Sequence, residues 1–126
     1  MKKNKISKNW IIKQHRDPFF KQSKIQGYKS RSAFKLVEMN EKFKFLNQNS
    51  YLLDLGSSPG GWSQVAAKKI TKGKILAIDI KLMNKIEKVH FLQRNLFDAT
   101  VYDKILTYFD KKIDVVLSDM AADTTG

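Results

Sequence analysis

The tightest constraint on the fold lies between residues 51 and 73. Tyr51-Leu52-Leu53-Asp54-Leu55 is an apolar run of strand length, cut off by Gly56-Ser57-Ser58-Pro59-Gly60-Gly61. From Trp62 to Ile70 the apolar spacing becomes helical and closes near Gly73. A strand that passes through a glycine turn into a helix must be followed by another strand if the sheet is to continue. Lys74 to Ile80 supplies it, through Ile75, Leu76, Ala77 and Ile78, and Val89 to Leu92 predicts a short third strand. Asp98 is placed to cap a helix whose apolar face is Tyr102, Ile105, Leu106 and Phe109, leading to a fourth strand at Ile113 to Ser118. Strands alternating with helices pair in parallel through crossovers, which predicts an α/β doubly wound sheet.

Upstream, Asp17-Pro18 resembles a cap with proline at the first helical position, and Gly27 a helix stop, so residues 18–25 are expected to be helical. A second helix is expected from Arg31 to about Phe43, where Ala33, Leu36, Val37 and Phe43 share a face and Ser30 is the candidate cap. A chain of 126 residues suits one compact domain. Its net charge of +12 is unevenly spread. Residues 1–31 hold ten Lys or Arg against the single acid Asp17, whereas the remainder holds fourteen bases and eleven acids. The division is therefore a basic arm at 1–30 and a nearly balanced body at 31–126. Aromatic and apolar residues interrupt the arm at Trp10, Ile11, Ile12, Phe19, Phe20 and Tyr28. A cationic block of this kind is either a solvated tail or a phosphate-binding surface, and the interleaved rings favour RNA.

No apolar run approaches the roughly 20 residues that cross a bilayer, and the basic N-terminus lacks the apolar segment of a secretory signal. The absence of cysteine excludes a disulfide framework and a thiolate metal site, in keeping with a reducing cytoplasm. His15 and His90 form no metal constellation and are expected on the surface of the arm and of a strand. No membrane and no metal are expected.

In an open α/β sheet, ligands collect beyond the carboxyl ends of the strands, and the first turn floors that crevice. Glycines at 56, 60 and 61 let backbone approach a ligand, and the next helix points its N–H groups there. The spacing Gly-x-x-x-Gly-Gly is neither the dinucleotide fingerprint nor a phosphate loop, so a bound nucleoside triphosphate is disfavoured. Asp79 ends the second strand, where such folds place an acid that accepts from ribose hydroxyls. Alone it would read as a strand-end turn cap. Beside the glycine turn it indicates a nucleoside-containing cofactor, with NAD and S-adenosylmethionine both open.

The full set of motifs is more specific. Ser30-Arg31-Ser32-Ala33-Phe34-Lys35-Leu36, Leu53-Asp54-Leu55-Gly56-Ser57-Ser58-Pro59-Gly60-Gly61-Trp62-Ser63-Gln64, Ala77-Ile78-Asp79, Phe91-Leu92-Gln93 and Leu117-Ser118-Asp119-Met120-Ala121 follow one another. In order and spacing they resemble the FtsJ/RrmJ methyltransferases, which modify ribose 2'-hydroxyls of large-subunit ribosomal RNA. The match runs from about Lys13 to the end. The resemblance implies a Rossmann-like S-adenosylmethionine-dependent methyltransferase fold lacking its last strands. It implies S-adenosyl-L-methionine as cofactor, with Gly60 and Trp62 against its methionine end and Asp79 on its ribose. Asn95 would stand in the adenine pocket where relatives often carry an acid, and an amide there donates and accepts without charge. Asp119 would face the methyl and sulfonium region and, with Lys35, belong to a Lys-Asp-Lys-Glu catalytic group.

Transfer from a sulfonium needs alignment of the 2'-oxygen and a base for its proton. In the family a second lysine is that base, and it and the final glutamate would lie beyond Gly126. This polypeptide alone is therefore expected to be inactive or nearly so. Val115, Val116 and Leu117 would sit on an exposed sheet edge. The expected partner is large-subunit ribosomal RNA or a ribosomal particle, the target a uridine of 23S ribosomal RNA. The competing readings are a noncatalytic RNA-binding remnant and a 2'-O-methyltransferase of transfer RNA or an mRNA cap. A nicotinamide oxidoreductase is disfavoured by the glycine spacing.

Overall fold

The computed structural model describes residues 27–118. The expected helix at 18–25, most of the basic arm, His15, Asp119 and the rest of the C-terminal segment lie outside the described residues. Within them the order is α1 (Ser32–Phe43), β1 (Tyr51–Leu55), α2 (Gly61–Lys69), β2 (Lys74–Asp79), β3 (Val89–Gln93), α3 (Ala99–Tyr108) and β4 (Val115–Ser118). The strands form one sheet in the order β3-β2-β1-β4, and every pairing is parallel. Leu53 is level with Leu76 on one side and Val116 on the other, and Ile78 with Leu92.

A parallel sheet is covered on both faces, so its central strands are near-continuous apolar runs rather than alternating, broken in β1 by the buried Asp54, whereas β3 at the border exposes His90 and Gln93. Leu52, Ile75, Val115 and Leu117 pack with Ala33 and Leu36 of α1 and Trp62, Val65 and Ala66 of α2. Tyr51, Leu53, Leu76 and Ile78 pack on the other face with Val101 of α3 and Phe109. Leu36, Leu52, Ile75, Leu76 and Ile78 are fully buried, each worth about 1.5–3 kcal/mol of transfer from water.

The helix ends follow from local chemistry. Asp98 Oδ1 accepts from the backbone N–H of Thr100 at 2.9 Å, an N-cap that fixes the start of α3. At α1 the cap is Arg31, not Ser30, and it makes no side-chain bond. The Ser30 hydroxyl pairs instead with that of Ser32, at 2.8 Å. α1 stops because the buried Asn40 captures the returning chain. Its carbonyl accepts from Lys44 N–H and its side chain from Leu46 N–H. Lys44 thereby takes a left-handed conformation at φ 52° without being glycine.

β4 borders the sheet among the described residues, as the sequence suggested, but its side chains are not stripped of cover. Val115 and Leu117 are buried against the α1 and α2 side. The second strand ends at Asp79, and the fourth begins at Val115 rather than Ile113.

Candidate functional site

The carboxyl ends of β1, β2 and β3 are stitched to one another by backbone. Gly56 and Ser57 N–H both donate to the Ile78 carbonyl, at 2.8 and 3.2 Å, which turns the chain leaving β1 over the end of β2. Asp79 then captures the next residue. Its Oδ2 accepts from Ser58 N–H at 2.9 Å and its Oδ1 from Lys81 N–H at 3.0 Å. Its main-chain carbonyl accepts from Arg94 N–H at 3.0 Å, joining the end of β3. Each carboxylate oxygen has further lone pairs, and Asp79 is half-buried, so it still offers acceptors at the rim.

The glycines of this loop are demanded first by the protein's own packing. Gly60 has φ +114°, and a Cβ there would lie 2.9 Å from Ile86 Cδ1, 3.1 Å from Lys29 Cδ and 3.2 Å from Met83 Sδ. A Cβ on Gly61 would overlap the hydroxyl of Ser30. Two spaces flank the loop. A pocket of about 10 Å³, room for a single water, is lined by Ser30, Ser32, Asp54, Ser57, Gly61 and Trp62 among others. The Ser57 hydroxyl is buried there with no hydrogen-bond partner among the described residues. A groove of about 300 Å³ lies outside, between Lys29, Ser58, Pro59, Leu82, Met83 and Asn84.

α2 begins directly behind the loop, and its first helical bond joins Gln64 N–H to the Gly60 carbonyl. The N–H groups of Gly61, Trp62 and Ser63 precede that ladder at the electropositive end of the helix. The Trp62 side chain is turned the other way. It is buried, and its indole N–H donates to the Ser32 carbonyl at 2.9 Å, locking α2 to α1. Lys35 of α1 is 6% exposed, a burial that a lysine tolerates only when engaged by a partner. Asn95 is exposed. Its Oδ1 accepts from Phe97 N–H at 3.0 Å and its carbonyl from Asp98 N–H at 2.9 Å, a turn that delivers the cap of α3.

The structure thus brings Gly60, Trp62 and Asp79 to one end of the sheet, with Asn95 two residues past β3 and Lys35 behind in α1. Sequence reasoning passed over three residues here. Ile80 and Leu82, which follow Asp79 in sequence, and Phe97, two positions after Asn95, are 62%, 73% and 89% exposed. They resemble ordinary loop residues in sequence, and it is their exposure close after Asp79 and Asn95 in the chain that marks them.

The model of the FtsJ-like methyltransferase family matches residues 28–126. The chain belongs to this family. It is 47% identical to a ribosomal RNA large subunit methyltransferase E of Pelagibacter ubique over 100% of this chain and 62% of the relative. It is 46% identical to the protein of that name from Nitrobacter winogradskyi, over 99% of this chain and 56% of the relative. The chain therefore spans about three-fifths of the length of these relatives. A crystal structure described as a ribosomal RNA methyltransferase of Plasmodium falciparum superposes with a TM-score of 0.66 at 40% identity, covering 73% of this chain and 56% of that one.

Other features of this FtsJ-like chain lie away from the loop. A cleft of about 450 Å³ between β3 and α3 is lined by His90, Leu92, Thr100, Asp103, Lys104, Thr107 and Tyr108, none of which falls in the glycine loop. His90 is on the strand surface and stacks on Tyr108, with centroids 4.9 Å apart. Among the described residues, no group of three or more His, Asp or Glu could hold a metal, and no helix is long and apolar enough to cross a membrane.

Proposed function

We propose that this chain supplies the cofactor crevice of an enzyme that methylates a ribose 2'-hydroxyl, that of a uridine in 23S ribosomal RNA of the large subunit, using S-adenosyl-L-methionine, in the cytoplasm. The observation that carries the cofactor reading is the double anchoring of Asp79, which holds a carboxylate rigidly at the rim beside the glycine loop. The donors and acceptors present fit the cofactor piece by piece. Asp79 has acceptors left for the two ribose hydroxyls, and the amides at the start of α2 suit a carboxylate. Ile80, Leu82 and Phe97 offer apolar surface for a purine, with the Asn95 side chain at its edge.

When bound, the cofactor supplies a methyl group on positively charged sulfur, and its transfer needs an aligned 2'-oxygen and a base that takes the hydroxyl proton. The chain's own work is orientation. Asp79 fixes the ribose, Gly60 and the backbone at Trp62 border the methionine end, and Asn95 addresses the base. We assign Lys35 and Asp119 to the catalytic group that orients the 2'-hydroxyl, and residues 1–30 to an arm that meets phosphate. Ribosomal RNA or a ribosomal particle is the partner that this reading requires, and relatives carry that substrate in their names.

Calorimetric titration of S-adenosylmethionine tests the cofactor, with NAD and Asp79→Ala as controls. Saturable binding that NAD does not reproduce and the variant loses is the expected result. Binding of NAD alone would overturn the reading.

A further inference from the structure

Gln64 stands in the stretch Trp62-Ser63-Gln64 that carries the family resemblance, yet the cofactor reading gives its side chain nothing to do. The structure gives it a task. Its Oε1 accepts from Lys29 N–H at 2.6 Å, and its Nε2 donates to the Gly27 carbonyl at 3.3 Å. One amide therefore grips the chain at two points, 35 and 37 positions earlier in sequence. We propose that Gln64 is a positioning residue that clasps residues 27–30 across the glycine loop, and that the ligand affinity of the loop depends on this clasp. The proposal rests on the cofactor reading above.

What the clasp holds is the segment that covers both glycines. The Lys29 side chain lies over Gly60 and forms one wall of the 300 Å³ groove, and the Ser30 hydroxyl sits against Gly61. Between the two gripped groups, the contacts of Tyr28 among the described residues run through its side chain. Its ring meets Phe34 edge-on with centroids 5.1 Å apart, and Lys68 Nζ lies 4.4 Å from the ring centre and 3.1 Å from the hydroxyl. These contacts fix the side of the segment but not its backbone direction, which the Gln64 amide sets. The helix has no need of that amide, because Gln64 enters the ladder through its own N–H on Gly60. The bond to Gly27 is solvent-exposed, so water could replace it without leaving a buried group unsatisfied. What the side chain adds is a preset position for Lys29 and Ser30. A ligand that meets a wall already in place is spared the ordering of that wall, and its apparent affinity rises accordingly.

The test compares wild type with Gln64→Leu, which removes both bonds, and Gln64→Glu, which keeps an acceptor for Lys29 N–H. Amide hydrogen exchange at Lys29 reads the clasp, and calorimetry with S-adenosylmethionine reads its consequence. Gln64→Leu is expected to unprotect the Lys29 amide and weaken binding about fivefold, the worth of one net hydrogen bond, with the circular dichroism spectrum unchanged. Gln64→Glu is expected to keep Lys29 protected and to bind with intermediate affinity. Wild-type affinity in Gln64→Leu overturns the proposal, as does tighter binding, which would make the segment a cover that the ligand must displace. Should Gln64→Leu not fold, undiminished affinity in Gln64→Glu overturns it instead. If the wild type binds no S-adenosylmethionine at all, the cofactor reading is what fails, while exchange at Lys29 still reports the clasp.

Discussion

The backbone N–H of Ser58 donates to Asp79 Oδ2 at 2.9 Å, across 21 positions of sequence. This bond makes the glycine loop and the end of β2 a single unit, because the other oxygen of the same carboxylate takes the Lys81 N–H. One side chain thus terminates a strand, shapes the preceding loop and starts the following one. The acceptors it has left face outward at an orientation its two donors have already set.

Asp79 variants should separate those tasks. Asp79→Asn keeps one oxygen for Ser58 and replaces the other acceptor with a donor that faces the Lys81 N–H, so it should fold and lose at least about tenfold in S-adenosylmethionine affinity. Asp79→Ala should in addition lower stability by about 1–2 kcal/mol, since two loop amides lose a charged acceptor. Calorimetry and urea denaturation on the same samples check both. Equal affinity in Asp79→Asn would remove the carboxylate from ligand recognition.

At Gly61 the constraint is space. A methyl group there meets the Ser30 hydroxyl, and lies 3.2 Å from Ser30 Cβ. Overpacking of this kind costs about 1–3 kcal/mol, more than the gain in helix propensity from glycine to alanine. Gly61→Ala should therefore be destabilised, and Ser30→Ala should recover part of the loss. A double-mutant cycle by chemical denaturation measures the coupling, which should be favourable by at least about 0.5 kcal/mol. Strictly additive losses would mean that the segment bearing Ser30 moves aside at no cost.

Trp62 tests a role that the resemblance assigned to the cofactor. Its ring is buried and its N–H satisfies the Ser32 carbonyl. Trp62→Phe removes one of the two donors at that carbonyl, which the α1 ladder still engages, and leaves a small void beside it, and should cost about 1–2 kcal/mol. Affinity for S-adenosylmethionine should change less than about threefold if only the Trp62 backbone borders the ligand. A loss of affinity far beyond the loss of stability would put the indole itself in the crevice.

The sequence made the sheet legible because parallel strands buried on both faces leave uninterrupted apolar runs, and because Asp98 and the glycine turn punctuate them. Asp79 was legible for the same reason, standing where a strand must stop. Ser30 misled as a cap, since a hydroxyl near a helix start has other partners and here found Ser32. The inward turn of Trp62, the clasp made by Gln64 and the packing of Lys29 over Gly60 depend on contacts 30 or more positions apart, at distances that no local pattern encodes. The exposure of Ile80, Leu82 and Phe97 is likewise a property of the assembled rim.

The pair Tyr51 and Asp110 gives the molecule a pH window that can be measured. The Tyr51 hydroxyl donates to Asp110 Oδ1 at 2.7 Å. This bond, assisted by the Asp110 backbone amide and the Lys74 ammonium, holds the Asp110 carboxyl below the usual carboxylate range. It also raises the Tyr51 phenol above its ordinary value, with burial adding to the shift. For the carboxyl, a depressed folded-state pKa means stability present above the unfolded value of about 4 and lost as pH falls through the folded one. For the phenol, a raised folded-state pKa means stability present below about 10 and lost as pH rises through the folded value. Both conditions hold together only between them. Tyr51→Phe keeps the ring beside Phe109, whose centroid lies 5.7 Å away, and removes only the hydroxyl. Its destabilisation should therefore be nearly constant from about pH 5 to pH 9 and shrink on either side. Urea midpoints of wild type and Tyr51→Phe at about pH 3, 7 and 11 provide the check. A difference that stays constant across all three would show that the hydroxyl acts through packing, and that the bond to Asp110 contributes nothing to folding.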